Sequence, residues 1–202
     1  NAQLTILQTV MSKNMISYDV VNGVMFTELP EIKLLISYLK LALHEGDSSA
    51  FSYVYNKPNR WLDQKFFAEV KENATRKNTS LYNAMFTIDR RNWRFKNGID
   101  QLYEVVNTLQ NRKFESVGKM IEYLRFYLKI DDFVSKGKQA DDGGFSEQIE
   151  NMDAFQNIAD KYFDLNEFML YLDDINRQVA MENNDKVHLS TIHRAKGLEY
   201  PI

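Results

Sequence analysis

The stretch VHLSTIHRAKGLEYP at residues 187–201 guides the interpretation of the whole chain, because it joins a strand pattern to a polar turn. Val187 and Leu189 alternate with polar residues, as residues do in a half-buried strand. The turn that follows brings together a hydroxyl, an imidazole, a cation and a carboxylate, a mixture that suits phosphate and sugar ligands. These groups belong to Thr191, His193, Lys196 and Glu199. On spacing alone, a strand end followed by a capped helix turn with solvated charges explains the same pattern.

Most of the chain upstream of this stretch has the apolar periodicity of helices. The clearest predicted helix opens at Pro30, carries one apolar stripe and closes at Gly46. The stripe consists of Ile32, Leu35, Ile36, Leu39 and Leu43. A second helix is predicted to begin near Ser48 or Ser49, which can cap it, and to end before Pro58. Further helices are predicted at 4–13, 62–73, 80–87, 99–109, 117–133, 152–162 and 166–181.

Two other segments are predicted to be non-helical. Residues 18–26 have the pattern of a β-hairpin that turns on Asn22 and Gly23. Residues 136–146 form a predicted flexible loop, because glycines and like charges disfavour packing there. The sequence therefore predicts a mainly α protein with strand pieces near both ends, a pattern typical of a domain inserted within another domain.

The composition excludes several classes of protein. The 202 residues include no Cys, which excludes disulfides and thiolate metal sites, and the spacing of the three His predicts no metal site. No predicted helix carries a paired catalytic constellation, so no catalytic residue is assigned. Because the chain has neither a signal-peptide pattern nor an apolar run that could cross a bilayer, we expect a cytoplasmic protein without membrane contact. The net charge of -3 predicts that any contact with DNA is local.

Two local clusters combine basic and aromatic residues. The first consists of Lys57, Arg60 and Lys65 around Trp61, and the second of Arg90, Arg91, Arg94 and Lys96 around Trp93 and Phe95. Such interleaving can stack bases and neutralise phosphates. Amphipathic helices that anchor a Trp in the core and leave their cations in water produce the same pattern. The candidate DNA-binding residues from these clusters are Arg60, Arg90, Arg91 and Arg94.

Residues 191–201 resemble the motif T-x-H-x-x-K-G-L-E-(F/Y)-P of UvrD/Rep-type (PcrA-like) DNA helicases of superfamily 1A, and every specified letter is present. Residues 17–41 are similar to a sequence pattern of the same family that begins with the letters P-Y and ends with the letters Y-L-R-L. Residues 50–58 resemble its A-F-x-R-x-x-N-x-P pattern, although Tyr53 stands where that pattern has arginine. Residues 1–3 resemble the end of the family's motif IV. The resemblance covers residues 1–67 and 165–202, and the middle of the chain matches only in its helical character.

The resemblance implies an architecture. In this family a helical insertion called 2B lies within the second RecA-like motor domain, 2A, between motifs IV and V. Residues 1–26 are then expected to be a flank of domain 2A, residues 27–184 the 2B-type insertion, and residues 185–202 the return strand and motif V. The chain is accordingly expected to be an excised piece of a larger protein, with a small α/β remnant of the motor domain beside the helices.

The resemblance also implies roles for residues of the closing motif. Thr191 and His193 match positions that contact the phosphate backbone of single-stranded DNA, and both side chains offer suitable donors. Glu199 matches the position that accepts a hydrogen bond from the ATP ribose. Lys196 and Gly197 lie between them and are expected to couple the two ligands. The alternatives without a ligand contact are that Lys196 is a solvated cation and that the His193 ring packs against the protein.

The function implied is that of an ATP-dependent DNA helicase or translocase, which uses ATP and Mg²⁺ and acts on single-stranded and forked DNA. The chain itself has no G-x-x-x-x-G-K-(S/T) loop, so it is expected to bind neither cofactor alone and to hydrolyse no ATP. An alternative is a helical interaction module that docks a repair or recombination protein and touches little DNA. A helicase-nuclease parent is a third possibility, because those proteins share the motif.

One segment departs from the family's pattern. Many relatives carry P-x-R-G-I-G in a turn that offers backbone N–H groups to duplex phosphate. Here residues 58–63 read PNRWLD, with Trp61 and Asp63 at the two glycine positions. Because a close approach of backbone to phosphate favours glycine, this mode of duplex binding is not expected here. Arg60 is the one residue of the turn retained as a candidate.

Overall fold

A computed structural model of the chain describes residues 25–89, 91–135 and 144–180, together with residues 7, 10–11, 16, 18–20 and 187–189. The described part is mainly α, as the sequence predicts. Its elements in chain order are β1 (Tyr18–Val20), a 3-10 turn (Phe26–Glu28), α1 (Pro30–Leu43), α2 (Ser48–Val54), α3 (Gln64–Lys77), α4 (Leu81–Met85), α5 (Trp93–Asn111), α6 (Val117–Leu128), α7 (Ile130–Ser135), α8 (Gly144–Ala159), α9 (Leu165–Ala180) and β2 (Val187–Leu189).

Helix α1 lies at the centre of the fold. It begins with Pro30 in its first turn, where the missing N–H of proline costs nothing, and it ends at Leu43. The sequence predicts one apolar stripe, but ten of its 14 residues are buried, because α2, α5, α8 and α9 all pack against it. Even the carboxylate of Glu31 is buried, where it accepts a hydrogen bond of 2.9 Å from Nδ2 of Asn151 on α8.

Short polar side chains cap most of the described helices. Asp47 accepts a hydrogen bond of 2.8 Å from the backbone N of Ala50 and so caps α2, where the sequence predicts Ser48 or Ser49. The difference arises because the cap is the residue before the first helical one, which is Asp47. Further capping residues are Asp63, Ser80, Asn92, Ser116 and Asp164.

Several helix boundaries differ from the sequence prediction. The predicted helix at 117–133 is split into α6 and α7, because Lys129 has a φ of 50° and its left-handed backbone ends α6. Helix α8 begins at Gly144, before the predicted start at Met152, and the extra turns bring Ile149 against the core. Of the predicted loop at 136–146, residues 136–143 lie outside the described part of the chain.

The predicted hairpin at 18–26 is wrong. Strand β1 pairs in parallel with β2, with Tyr18 opposite Val187 and Val20 opposite Leu189, and residues 26–28 form a 3-10 turn. Packing explains the difference: the Phe26 ring packs in the helical core, 5.8 Å from the ring of Phe155, instead of facing Tyr18 across a hairpin. Residues 22 and 23, where the hairpin was expected to turn, lie outside the described residues. The predicted terminal strand near 187–190 is confirmed.

The described residues form two separate apolar clusters. The larger fills the helical body, and the smaller contains Tyr18 and Leu189 with Met11 packed against them. The chain thus enters and leaves the helical body through neighbouring parallel strands. The boundaries predicted at 26/27 and 184/185 stay a prediction, and the predicted helix at 4–13 lies largely outside the described residues.

Candidate nucleic-acid interface

The predicted site residues fall partly within and partly outside the described part of the chain. Arg90 and the closing motif lie outside the described residues. The motif residues concerned are Thr191, His193, Lys196, Gly197 and Glu199. Their predicted roles therefore stay predictions, and the structure bears on Arg60, Arg91 and Arg94.

Arg60 lies inside the protein and is only 3% exposed. One terminal nitrogen, Nη1, donates to the carbonyl oxygens of Val54 at 3.0 Å and Lys57 at 2.9 Å, and more weakly to that of Pro58 at 3.3 Å. The other, Nη2, donates to the Tyr38 hydroxyl. The prediction that Arg60 belongs to a DNA-binding surface is therefore wrong, because its donors are used to hold the backbone that precedes α3.

The Tyr38 hydroxyl completes this buried network. It donates to the carbonyl oxygen of Lys57 at 2.6 Å while it accepts from Arg60. Burial raises the pKa of Tyr38 above its ordinary value, although the neighbouring Arg60 acts in the opposite direction. The hydroxyl thus stays protonated at neutral pH and keeps its donor role.

The turn at residues 58–63 uses its own backbone donors internally. The Asn56 side-chain oxygen accepts from the backbone N of Arg60 at 2.8 Å and of Leu62 at 3.2 Å. The Asn59 side-chain oxygen accepts from the backbone N of Trp61 at 2.9 Å. These three N–H groups are not available to a phosphate, in agreement with the departure from the family's pattern in the sequence.

Trp61 occupies the position of the first family glycine, and its φ is 62°. This is the left-handed backbone region, which glycine adopts without cost and which other residues rarely adopt. The indole is 62% exposed, so the strained backbone directs a large apolar ring into solvent. The next glycine position holds Asp63, whose side chain accepts from the backbone N of Phe66 at 2.8 Å and caps α3.

The described residues of the second basic cluster lie in the first turn of α5 and just before it, and α5 starts at Trp93, six residues before the predicted start. Asn92 caps this turn by accepting from the backbone N of Arg94 at 3.1 Å. Trp93 is 64% exposed. Arg91 forms an exposed ion pair of 2.5 Å with Asp89, and its hydrogen bond holds the pKa of the Asp89 carboxyl below its usual range.

The fold brings the two predicted clusters together. The rings of Phe66 and Phe95 pack 5.3 Å apart, and Gly98 of α5 lies directly against the 58–63 turn. The Arg94 guanidinium lies 5.5 Å from the Trp61 ring and 5.6 Å from the Trp93 ring. Both distances fall within the range of a cation–π interaction. We call Trp61, Trp93 and Arg94 the tryptophan patch.

The surroundings of the tryptophan patch are basic although the chain is acidic. Residues 57–65 and 89–96 contain seven of the 25 Lys and Arg residues, one of which is the buried Arg60, and two of the 28 Asp and Glu residues. Lys65, Arg91, Arg94 and Lys96 are exposed. A local excess of cations beside exposed aromatic rings suits a strand of nucleic acid.

The sequence did not predict that the two clusters meet, because they are some 30 residues apart and the contact is tertiary. One signal was available in Gly98, since a glycine inside a helix often marks a close approach of another segment. Among the described residues, no helix has the length and apolar character required to cross a membrane. The same residues include no group of three His, Cys, Asp or Glu placed to hold a metal ion.

Comparison with known proteins agrees with the resemblance in the closing motif. The ATP-dependent DNA helicase Rep of Buchnera aphidicola is 26% identical over all of this chain, which covers 33% of that relative. The ATP-dependent DNA helicases PcrA of Staphylococcus epidermidis and Bacillus subtilis are 25% and 22% identical, and the chain covers 29% of each. The chain thus spans about a third of the length of the relatives it matches. The family model of the UvrD-like helicase C-terminal domain matches residues 1–202, and the chain belongs to this family.

Proposed function

We propose that this chain is part of an ATP-dependent DNA helicase or translocase, in which it supplies a 2B-type helical insertion and motif V. The observation that carries the proposal is the full set of motif letters at residues 191–201 in a chain that matches the family over its whole length. The parallel pairing of β1 and β2 supports it, because an inserted domain leaves and rejoins its host at neighbouring strands.

In this proposal the closing motif connects the nucleotide to the DNA. Thr191 and His193 donate to the phosphates of a single strand, and Glu199 accepts from the ATP ribose hydroxyl. Lys196 and Gly197 join the two contacts within one short turn. The parent supplies the phosphate-binding loop and the Mg²⁺ site, so the chain alone is inactive as an ATPase.

The helical body adds a local DNA-binding surface. Arg94 of the tryptophan patch and the neighbouring Arg91 are both exposed, and the basic surroundings supply the electrostatic attraction that the acidic chain as a whole lacks. We place forked or single-stranded DNA at this surface. Arg90, which follows Asp89 in the sequence, is retained as a further candidate.

The test is DNA-stimulated ATP turnover by a protein that carries this chain in full. Replacement of Glu199 and His193 by Ala is expected to lower the stimulated turnover at least about tenfold, which corresponds to about 1.4 kcal/mol of transition-state stabilisation. The control is His44→Ala with Glu45→Ala, which removes the same residue types elsewhere and is expected to leave turnover unchanged. Normal turnover in the Glu199 and His193 variant contradicts the proposal.

A second function is favoured by a separate observation on α6. Phe126 is 84% exposed and lies between two grooves, one lined by Arg112, Phe114 and Tyr123 and the other by Tyr127 and Gln156. Exposed aromatic side chains beside grooves are typical of protein interfaces. The alternative is thus a module that docks a repair or recombination protein. Failure of the chain to bind forked DNA at low salt favours this alternative.

A further inference from the structure

The two indoles of the tryptophan patch are exposed although residues of this size are usually buried. Trp61 and Trp93 are 62% and 64% exposed, and they are the only two tryptophans in the chain. They come from different elements and share one neighbour, the Arg94 guanidinium. An exposed aromatic group of this kind, assembled by tertiary packing, indicates a binding surface.

The geometry is maintained by contacts within the 58–63 turn and between this turn and α5. The Arg60 network holds the backbone of the turn, and Asn59 holds the amide of Trp61. Gly98 brings α5 so close that the carbonyl oxygen of Arg60 would lie 2.7 Å from an added Cβ. The rings are therefore presented by a preorganised surface, which lowers the entropic cost of binding a flat ligand.

The chemistry of the patch favours nucleobases over phosphates as its principal contacts. The backbone N–H groups of residues 60–62 are already bonded to Asn side chains, so the turn offers no amide cradle to a phosphate. Indole faces and a guanidinium plane instead stack on bases. Within a duplex most base faces are covered by neighbouring pairs, whereas an unpaired strand exposes them.

We propose that Trp61, Arg94 and Trp93 form a stacking platform for unpaired nucleobases. The platform rests on the proposed function, because it takes the DNA of that function as its ligand, and it adds that this surface recognises bases. The surrounding cations hold the strand by its phosphates, and the rings bind the bases. This selects single-stranded DNA or the open side of a fork over a closed duplex.

Because both tryptophans of the chain lie in the tryptophan patch, intrinsic tryptophan fluorescence reports on binding at this surface alone. The 202-residue chain is titrated with an oligothymidine strand, an abasic strand of the same length, a blunt duplex and a polyglutamate peptide. The platform predicts strong quenching by oligothymidine and binding of that strand roughly tenfold tighter than the abasic strand, as expected for stacking of one base. The duplex and the peptide are expected to cause little quenching.

Substitutions distinguish the contribution of the indole rings to DNA binding from that of the charged side chains. Trp61→Gly suits the positive φ of that position and removes one exposed indole, so the fold is expected to remain intact by circular dichroism. By anisotropy of a labelled strand, this variant is expected to lose most of its preference for oligothymidine over the abasic strand. Trp93→Ala is expected to behave in the same way. The matched control is Phe163→Ala, which removes another exposed aromatic ring and should leave the preference unchanged.

Each alternative outcome has a distinct meaning. Equal binding of the oligothymidine and abasic strands, unaffected by Trp61→Gly, overturns the platform but leaves DNA binding through phosphates intact. Tighter binding of polyglutamate than of oligothymidine overturns the platform and identifies an acidic protein partner. Absence of binding to every nucleic acid at low salt overturns both the platform and the proposed DNA-binding surface.

Discussion

At the scale of single residues, Arg60 and Trp61 reverse the usual locations of their residue types. The charged Arg60 is buried because the backbone of residues 54–58 directs three carbonyl groups toward it beside the Tyr38 hydroxyl, and a guanidinium has enough donors to bond them. The apolar Trp61 is exposed because its positive φ directs its side chain away from the core. Sequence patterns cannot predict either location, since both depend on the local backbone path.

The location of Arg60 predicts a loss of stability when it is replaced. Arg60→Met leaves buried carbonyl groups without their donor, and we expect the free energy of unfolding in urea to fall by about 2–4 kcal/mol. Arg60→Lys keeps the charge but loses the planar fork, so most of the loss is expected to remain. Unchanged stability, together with a weaker salt dependence of DNA binding in Arg60→Met, would instead return Arg60 to the DNA-binding surface.

At the scale of elements, periodicity and capping residues predicted which segments are helical but not how the segments join. The predicted helix from Pro30 was confirmed. Both of its signals, the proline in the first turn and the apolar repeat, depend only on residues within the helix itself. The hairpin was wrong because Tyr18 pairs with a strand about 170 residues later in the chain, a contact that local turn chemistry does not encode. The split of the helix at Lys129 could not be predicted from the residue type, because lysine does not favour the left-handed backbone that ends α6 there.

The contact between the 58–63 turn and α5 yields an element-scale prediction at Gly98. A Cβ at this position would lie 2.7 Å from the carbonyl oxygen of Arg60 and 2.8 Å from the Leu62 side chain, so α5 must move away from the turn. We expect Gly98→Ala to lower the free energy of unfolding by about 1–3 kcal/mol and to shift the tryptophan emission maximum.

Gly46→Ala is the control for that change, because nothing lies within 4 Å of its added Cβ. Its stability is expected to stay within about 0.5 kcal/mol of the original chain. Equal unfolding midpoints for the Gly98 and Gly46 variants would show that the turn and α5 are not in close contact.

At the scale of the whole molecule, the sequence predicted the family of the protein better than it predicted the DNA-binding surface. The closing motif indicated a UvrD/Rep-type helicase without any structural knowledge, because its letters are specific in type and spacing. The two basic clusters were recognised separately, but their union through Arg94 required the packing of α3 and α5. Burial of Arg60 within the same region shows why a count of cations in the sequence overestimates a binding surface.

The most direct test of the account is the salt dependence of forked-DNA binding by the 202-residue chain. Arg91→Gln with Arg94→Gln is compared with Lys77→Gln and Lys161→Gln, two exposed cations outside the two clusters, so that both variants change net charge equally. The logarithm of the affinity falls linearly with the logarithm of the salt concentration. Removal of one arginine–phosphate interaction should reduce the magnitude of this slope by about 0.7–0.9. The account predicts a shallower slope and weaker binding for the arginine variant and an unchanged slope for the lysine variant. Equal slopes for both variants would contradict it.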